Sequence, residues 1–477
     1  MGEVLNLLAC DLGASNGRTI LGKFDGEKIK LDVLHKYSNG GIGIKNCLYW
    51  DILALFSEIK SGLKKAVKVT DDKITSMGID TWGVDYGFID NKGSLMSLPY
   101  HYRDSRTDGI PDKVFEKISR EEIYQETGIQ FMQINTIFQL YADLIERPWI
   151  LENAESMLFI PDLLNYFLTG KKFNEYTIAS TSQLFNPAAS KWSSTISKEL
   201  GFPEDIMEEI IYPGKKIGYL FGEVKDECGI NNEFPLMSVG SHDTASAVAA
   251  APLLDENSIY LSSGTWSLLG MELDKPVINN NSLEENFTNE LGVGKKVRFL
   301  KNITGLWLIQ ECKHIWDREG KNLTYTDISK AASESEGFKF RIDPDDPVFL
   351  NPESMTEAIR GYCRETNQPV PETVGEMARG IYESLAFSYK SVIVNLEKLV
   401  DKNIETINMV GGGIQAEILC QYTADITGCR VQAGPVEATA IGNMLAQLMG
   451  LGEIKNLAEG RDIVRNSIKL KEYLPGQ

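Results

Sequence analysis

The chain has 477 residues, 43% hydrophobic and 24% charged, an ordinary balance for a globular enzyme. Lys and Arg number 48 against 67 Asp and Glu, a net charge of −19 with no basic run, which speaks against nucleic acid and anionic membrane as partners. An anionic substrate must therefore be held by a cation and by local N–H donors.

Seven cysteines (Cys10, Cys47, Cys228, Cys312, Cys363, Cys420 and Cys429) form no Cys-x-x-Cys pair, so neither a disulfide framework nor a zinc site is expected. The histidines, at 35, 101, 242 and 314, are too dispersed for a metal cluster. No basic segment precedes the first apolar run, and no apolar stretch approaches the roughly 20 residues of a membrane span. The expectation is a cytoplasmic protein. Length alone suggests about three domains, but the pattern described next argues for two.

In chain order, Leu7 to Cys10 is a short apolar strand ending at Asp11, followed by Leu12-Gly13-Ala14-Ser15-Asn16-Gly17-Arg18. The strand resumes from Thr19 to Phe24, Asp25-Gly26 signals a hairpin turn, and Lys28 to His35 reads as a third strand. Asp51 caps a helix running to Val67. Ile74 to Ile79 is strand-like and ends at Asp80-Thr81-Trp82-Gly83-Val84-Asp85, a tip suited to a polyol: an apolar ring, clearance at Gly83 and two acids to accept hydroxyls. A buried Trp with exposed acids is the plainer alternative there. His101 to Thr107 is a dense polar cluster whose commonest meaning is surface ion pairing, and Ile160 to Gly170 reads as a Pro-started, Gly-capped helix. Residues 190–234 carry turns and no functional signal.

The middle of the chain holds Ser241-His242-Asp243-Thr244, then a small-residue run from Ala245 to Ala251 that lets a helix pack closely. Asp243 is either a general base or the N-cap of that helix. Ile259 to Leu261 is a strand that breaks at Ser262-Ser263-Gly264-Thr265 and resumes at Trp266, a turn offering hydroxyls and backbone N–H groups to phosphate. This repeats the grammar of the amino terminus, so a duplicated fold with one phosphate loop per half is expected. Val297 to Leu300 leads through Asn302 into a helix bearing Gln310. Val374 to Val400 is a long core helix. Thr406 to Val410 runs into Gly411-Gly412-Gly413, where a backbone can lie flat against a ring, with a helix from Ile414 behind. A last strand, Cys429 to Gly434, precedes a small-residue helix started at Pro435. The alternation of strands and helices points to an α/β protein with mixed sheets.

Taken together, Asp11 to Ser15, Gly78 to Asp85, Tyr102 to Thr107, Thr127 to Phe131, Ser241 to Thr244, Tyr260 to Leu268 and the triple-glycine turn resemble the FGGY carbohydrate kinases, over about residues 7 to 445. The resemblance implies two ribonuclease-H-like domains of the actin/hexokinase/Hsp70 ATPase type with a catalytic cleft between them. Residues 1–244 would hold the sugar and the first phosphate loop, and residues 245–477 the nucleotide. It implies ATP-dependent phosphorylation of a small ketose, nearest to members that act on L-rhamnulose at O1; L-fuculose or xylulose is the alternative, and a non-catalytic ATPase or sugar sensor a remoter one. Asp243 is then the general base. Ala14, Ser15, Asn16, Gly17, Arg18 and Thr265 form the phosphate loops, Gln310 and Gly412 lie on the nucleotide side, and Gly83, His242, Thr244 and Asn302 line the sugar. Asp11 holds Mg²⁺ through water. Ala416 stands where the family pattern has Asn after the glycine turn. Oligomeric state is left open.

Overall fold

In a computed structural model, which describes residues 4–255 and 257–476, the chain folds into two compact units. The first comprises Met1–Ala250, Glu272–Phe299 and Ala438–Ser467; the second comprises Ala251–Met271, Leu300–Glu437 and Ile468–Gln477.

The first unit is built on a sheet whose centre is the strand Leu5–Leu12, fully buried from Leu7 through Ala9. It pairs antiparallel with Asn16–Phe24, which pairs antiparallel with Ile29–Ser38, so the expected meander is present. On its other side Leu5–Leu12 pairs parallel with Ser76–Thr81, and Pro235–Met237 continues the parallel run. The second sheet repeats this order. Ser258–Ser263 pairs antiparallel with Trp266–Leu273 and parallel with Thr406–Val410, which is followed by Arg430–Ala433. The repetition expected from the two similar hairpins is therefore a repetition of strand order.

Local signals set most element bounds. Asp51 caps the helix Ile52–Thr70 by accepting from the Ala54 N–H at 3.0 Å. Gly170 ends Ile160–Thr169 in the left-handed conformation, and Val374–Val400 begins in a capping box formed by Thr373 and Glu376. Two helix starts differ from expectation. A short 3₁₀ turn, Gly412–Gln415, intervenes before the helix Glu417–Thr427. The last small-residue helix starts at Ala438 rather than Pro435.

That helix, Ala438–Leu451, packs on the first sheet, because its buried polar face matches polar groups there. Asn443 donates to Asp80 at 2.6 Å, Gln447 donates to the Leu8 carbonyl at 3.1 Å, and Ser76 donates to Gln447 at 2.6 Å. The helix Asp243–Ala249 lies so close to it that a side chain at Gly442 would run into the Ser246 carbonyl oxygen. The alanine and serine run thus serves close helix packing, as its composition suggests.

Candidate active site

Strand register brings the charged residues of the first unit together. Asp11 stands opposite Arg18 in the antiparallel pair and beside Asp80 in the parallel one. Arg18 donates to Asp11 Oδ2 at 3.0 Å, an opposite-charge cross-strand pair. Thr81 bridges to His242, and its N–H donates to the Ser241 carbonyl at 2.9 Å, so Asp243 follows directly at the carboxyl end of the parallel strands. Ligands of open α/β sheets bind at that end. The Asp11–Arg18 turn is held by Gly13 N–H to the Asn16 carbonyl at 2.9 Å and by Asn39 to the Gly13 carbonyl at 2.8 Å. Ser15 and Asn16 lie exposed at its tip, while Gly17 is buried against Tyr37 with no room for a side chain.

Asp243 is not the N-cap of its helix. His242 takes that position, Asp243 is the first helical residue, and its side chain accepts from the Thr244 hydroxyl at 3.0 Å rather than from a helix N–H. Its side chain is 28% exposed, more open than an acid flanked by small residues suggests. The loop before it is clamped from outside. Glu175 Oε2 accepts from the Ser241 N–H at 3.2 Å, as well as from Thr177 and Ile178 N–H groups, and the His242 N–H donates to the Thr177 hydroxyl at 3.2 Å. Burial pushes the Glu175 carboxyl up to about 7, against the pull of those hydrogen bonds.

Asp80 is fully buried, and desolvation raises its carboxyl well above the usual range; the charges of Asp11 and Asp243 add to this, while Asn443 and Arg18 act the other way. One of its oxygens accepts from Asn443, and the other has no hydrogen-bond partner. Arg18, Asp11, Asp80 and Asp243 thus form one electrostatic group. Among the described residues no three acidic, thiol or imidazole groups converge as a direct metal cage.

The strand tip at residues 80–85 works differently from the polyol edge its composition suggests. Asp85 gives both oxygens to the protein. Trp50 and Trp82 donate through their indole N–H groups at 2.6 and 3.0 Å, the Tyr102 N–H at 3.2 Å and Gln139 at 2.8 Å. Burial raises its carboxyl to about 6. Trp82 is 5% exposed and its ring lies 3.9 Å from that of Trp50. Asp85 is therefore buried scaffold, not an exposed hydroxyl acceptor. Gly83 does face the candidate site: a Cβ there would lie 3.4 Å from His242 Nε2 and 3.2 Å from the Thr181 hydroxyl. Val84 beside it has φ of 67°, an uncommon conformation for a β-branched residue, fixed by bonds from Thr136 and to Thr181. The 101–107 cluster is likewise largely buried, with Ser105 exposed. Arg106 pairs with Asp143 at 2.6 Å and donates to Gln139 at 3.0 Å, with only 7% of its side chain exposed.

In the second unit, the Gly264-Thr265 turn braces the start of the helix Trp307–Arg318. The Leu306 N–H donates to the Gly264 carbonyl at 2.9 Å, and the Thr265 hydroxyl meets Gln310 at 3.3 Å. Asn302 lies in the same unit, on the strand Val297–Thr304 that leads into this helix. In the triple-glycine turn, a Cβ at Gly411 would lie 2.9 Å from the Ser263 carbonyl and one at Gly413 would strike the Ser263 side chain, whereas Gly412 faces open space. Two glycines allow chain packing; the middle one leaves room for a ligand.

The sequence matches the FGGY family of carbohydrate kinases, N-terminal domain, over residues 6–250, and its C-terminal domain over residues 259–451. The chain belongs to this family of carbohydrate kinases. The family resemblance and the expected fold are borne out. Among relatives of this FGGY chain, the rhamnulokinase of Bacteroides thetaiotaomicron is 45% identical over 98% of this chain and 96% of its own. That of Halalkalibacterium halodurans is 45% identical over 98% of both, and that of Bacillus subtilis 40% over 98% and 95%. Solved structures of FGGY-like fold include a ligand-bound xylulose kinase from Lactobacillus acidophilus, at a TM-score of 0.80, 16% identity and 99% and 94% coverage. Plasmodium falciparum glycerol kinase with ADP gives 0.77, 15%, and 99% and 95%. As a kinase of this family the chain uses ATP. No helix among the described residues is long and apolar enough to cross a membrane.

Sequence reasoning missed Glu175, Asn443, Glu290 and Arg298. Arg298 was the most accessible of these: a lone cation in the apolar run Val297-Arg298-Phe299-Leu300 has to find a buried partner.

Proposed function

We propose that this chain transfers the γ-phosphoryl group of ATP to O1 of L-rhamnulose, giving ADP and L-rhamnulose 1-phosphate. The observation that carries this reading is the freedom of Asp243: part-exposed, relieved of any capping duty, and set at the carboxyl ends of the strands, where its charge, like those of Asp11 and Arg18, acts on Asp80. The rhamnulokinase relatives, 40 to 45% identical along nearly the whole chain, support the choice of sugar.

The O1 oxygen attacks phosphorus while its proton passes to the Asp243 carboxylate, and the bridging oxygen leaves with the electron pair of the broken bond to become the ADP terminus. Such a reaction needs positioning and charge neutralisation more than covalent chemistry from the protein. Ala14 to Arg18 and Thr265 supply hydroxyl and N–H donors to phosphate, and Gln310 and Gly412 receive the nucleotide. Gly83, His242, Thr244 and Asn302 contact the sugar.

Mg²⁺ fits the acidic group, where an unpartnered buried oxygen of Asp80 adjoins Asp11. With no direct cage among the described residues, Asp11 would hold the ion through water, and the ion would neutralise phosphate charge. Unpaired cysteines are compatible with a cytoplasmic setting. Coupled ADP release with L-rhamnulose, L-fuculose and D-xylulose tests the proposal. L-Rhamnulose is expected to give the highest kcat/KM, and a higher value for either other ketose overturns the choice of sugar.

A further inference from the structure

The side chain of His242 is held by two residues from the segment Glu272–Phe299 of the first unit. Arg298 has no exposed side-chain surface, and Glu290 has 6%. Arg298 Nη2 lies 3.0 Å from Glu290 Oε2 and 3.1 Å from His242 Nδ1, and Arg298 Nε donates to the Leu291 carbonyl at 3.1 Å. Glu290 Oε2 is itself 3.3 Å from His242 Nδ1. On the other side of the ring, Nε2 lies 3.6 Å from Asp243 Oδ1 and faces Gly83.

We propose that Arg298 and Glu290 are positioning residues that orient His242 with Nδ1 accepting from Arg298 and Nε2–H turned toward Asp243 and the sugar. The inference rests on Asp243 as general base. A guanidinium can only donate. Its Nη2 carries two hydrogens, and the geometry uses both, one to Glu290 and one to the Nδ1 lone pair. The opposite tautomer would give up the bond from Arg298 at 3.1 Å for a longer one from Nδ1–H to Glu290 Oε2 at 3.3 Å, and would leave the Nε2 lone pair facing the Asp243 carboxylate. With the proton on Nε2, that N–H and the Thr244 hydroxyl, 3.0 Å away, both face Asp243 Oδ1. Oδ2 is left to take the sugar proton. The Arg298–Glu290 pair is neutral as a whole, so it orients the ring without adding net charge beside the base.

The test uses the full chain labelled with ¹⁵N-histidine, the His242 signals being assigned by their loss in His242→Asn. The wild type is expected to show Nε2–H with unprotonated Nδ1 at neutral pH. Arg298→Met should switch the tautomer, raise KM for the ketose and lower kcat by about 10- to 100-fold, with KM for ATP unchanged. Arg298→Lys, which keeps a donor, should recover part of the loss. A wild-type signal from Nδ1–H overturns the proposal, as does a folded Arg298→Met with unaltered kcat and ketose KM. If Arg298→Met does not fold, the wild-type tautomer and the kinetics of Glu290→Gln decide: the proposal needs Nε2–H in the former and a raised ketose KM in the latter. Failure of the kinase reading looks different, since the wild type would then phosphorylate no ketose whatever the tautomer of His242.

Discussion

Asp243 separates two roles that a carboxylate at a helix start can have. A cap can be replaced by Asn with little effect, whereas a proton acceptor cannot. Because its side chain accepts from the Thr244 hydroxyl and the N-cap position belongs to His242, Asp243→Asn is expected to leave the thermal midpoint and ketose affinity nearly unchanged. Phosphorylation should fall by about 10² to 10⁴-fold, the usual worth of a general base. Steady-state kinetics alongside thermal melts checks this, and near-normal turnover would remove Asp243 from the chemistry. Glu175 gives a second prediction at this scale. Its folded value of about 7 lies above the ordinary 4.5, so between these pH values the folded chain keeps a proton that the unfolded chain has released. Its contribution is therefore most favourable below pH 4.5, declines as pH rises through the window and levels off above about 7. The span is on the order of 3 kcal/mol. Glu175→Gln cannot titrate, so urea denaturation of the variant should show a flatter dependence than wild type between those limits. An unchanged slope would mean that Glu175 is ionised throughout.

Among the elements, the helix Glu417–Thr427 begins without a side-chain cap, because Ala416 occupies the N-cap position. Asn is among the best N-caps. Ala416→Asn is expected to stabilise the protein by about 1 kcal/mol, read as a higher urea midpoint at unchanged slope. The KM for ATP measured on the same variant reports whether the amide also reaches the nucleotide. A midpoint at or below wild type would show that the backbone at Ala416, with φ of −81° and ψ of 80°, cannot present a capping side chain.

For the molecule as a whole, sequence neighbours and spatial neighbours part company at the helix Ala438–Leu451. It follows the strand Arg430–Ala433 of the second sheet in the chain, yet its Asn443 and Gln447 bond to Asp80, Leu8 and Ser76. Truncation after Glu437 should therefore loosen a sheet that lies entirely within the first 240 residues. Hydrogen exchange is expected to accelerate at the amides of Leu5–Leu12 and Ser76–Thr81 in the truncated chain. Protection equal to that of the full chain would show that the first sheet needs no help from the helix.

What the sequence determined by itself is local. Apolar alternation, caps and turns placed both hairpins, the capped helix after Asp51, Ile160–Thr169 and Val374–Val400, since these signals act within a few residues of where they are read. The motifs around Asp11, Asp243 and Thr265 were legible for the same reason. Only the tertiary structure decided which polar residues are scaffold. Asp85 reads as a hydroxyl acceptor until four donors from Trp50, Trp82, Tyr102 and Gln139 close around it. His101 to Thr107 reads as a surface cluster until Arg106 is seen to lie against Asp143. Asp80 meets Asn443 across 363 positions of chain, and Glu290 and Arg298 reach His242 from two strands about 50 residues later. Such pairings leave no periodic trace, because hydrophobic patterning reports that a side chain is buried and not which distant group will satisfy its hydrogen bonds.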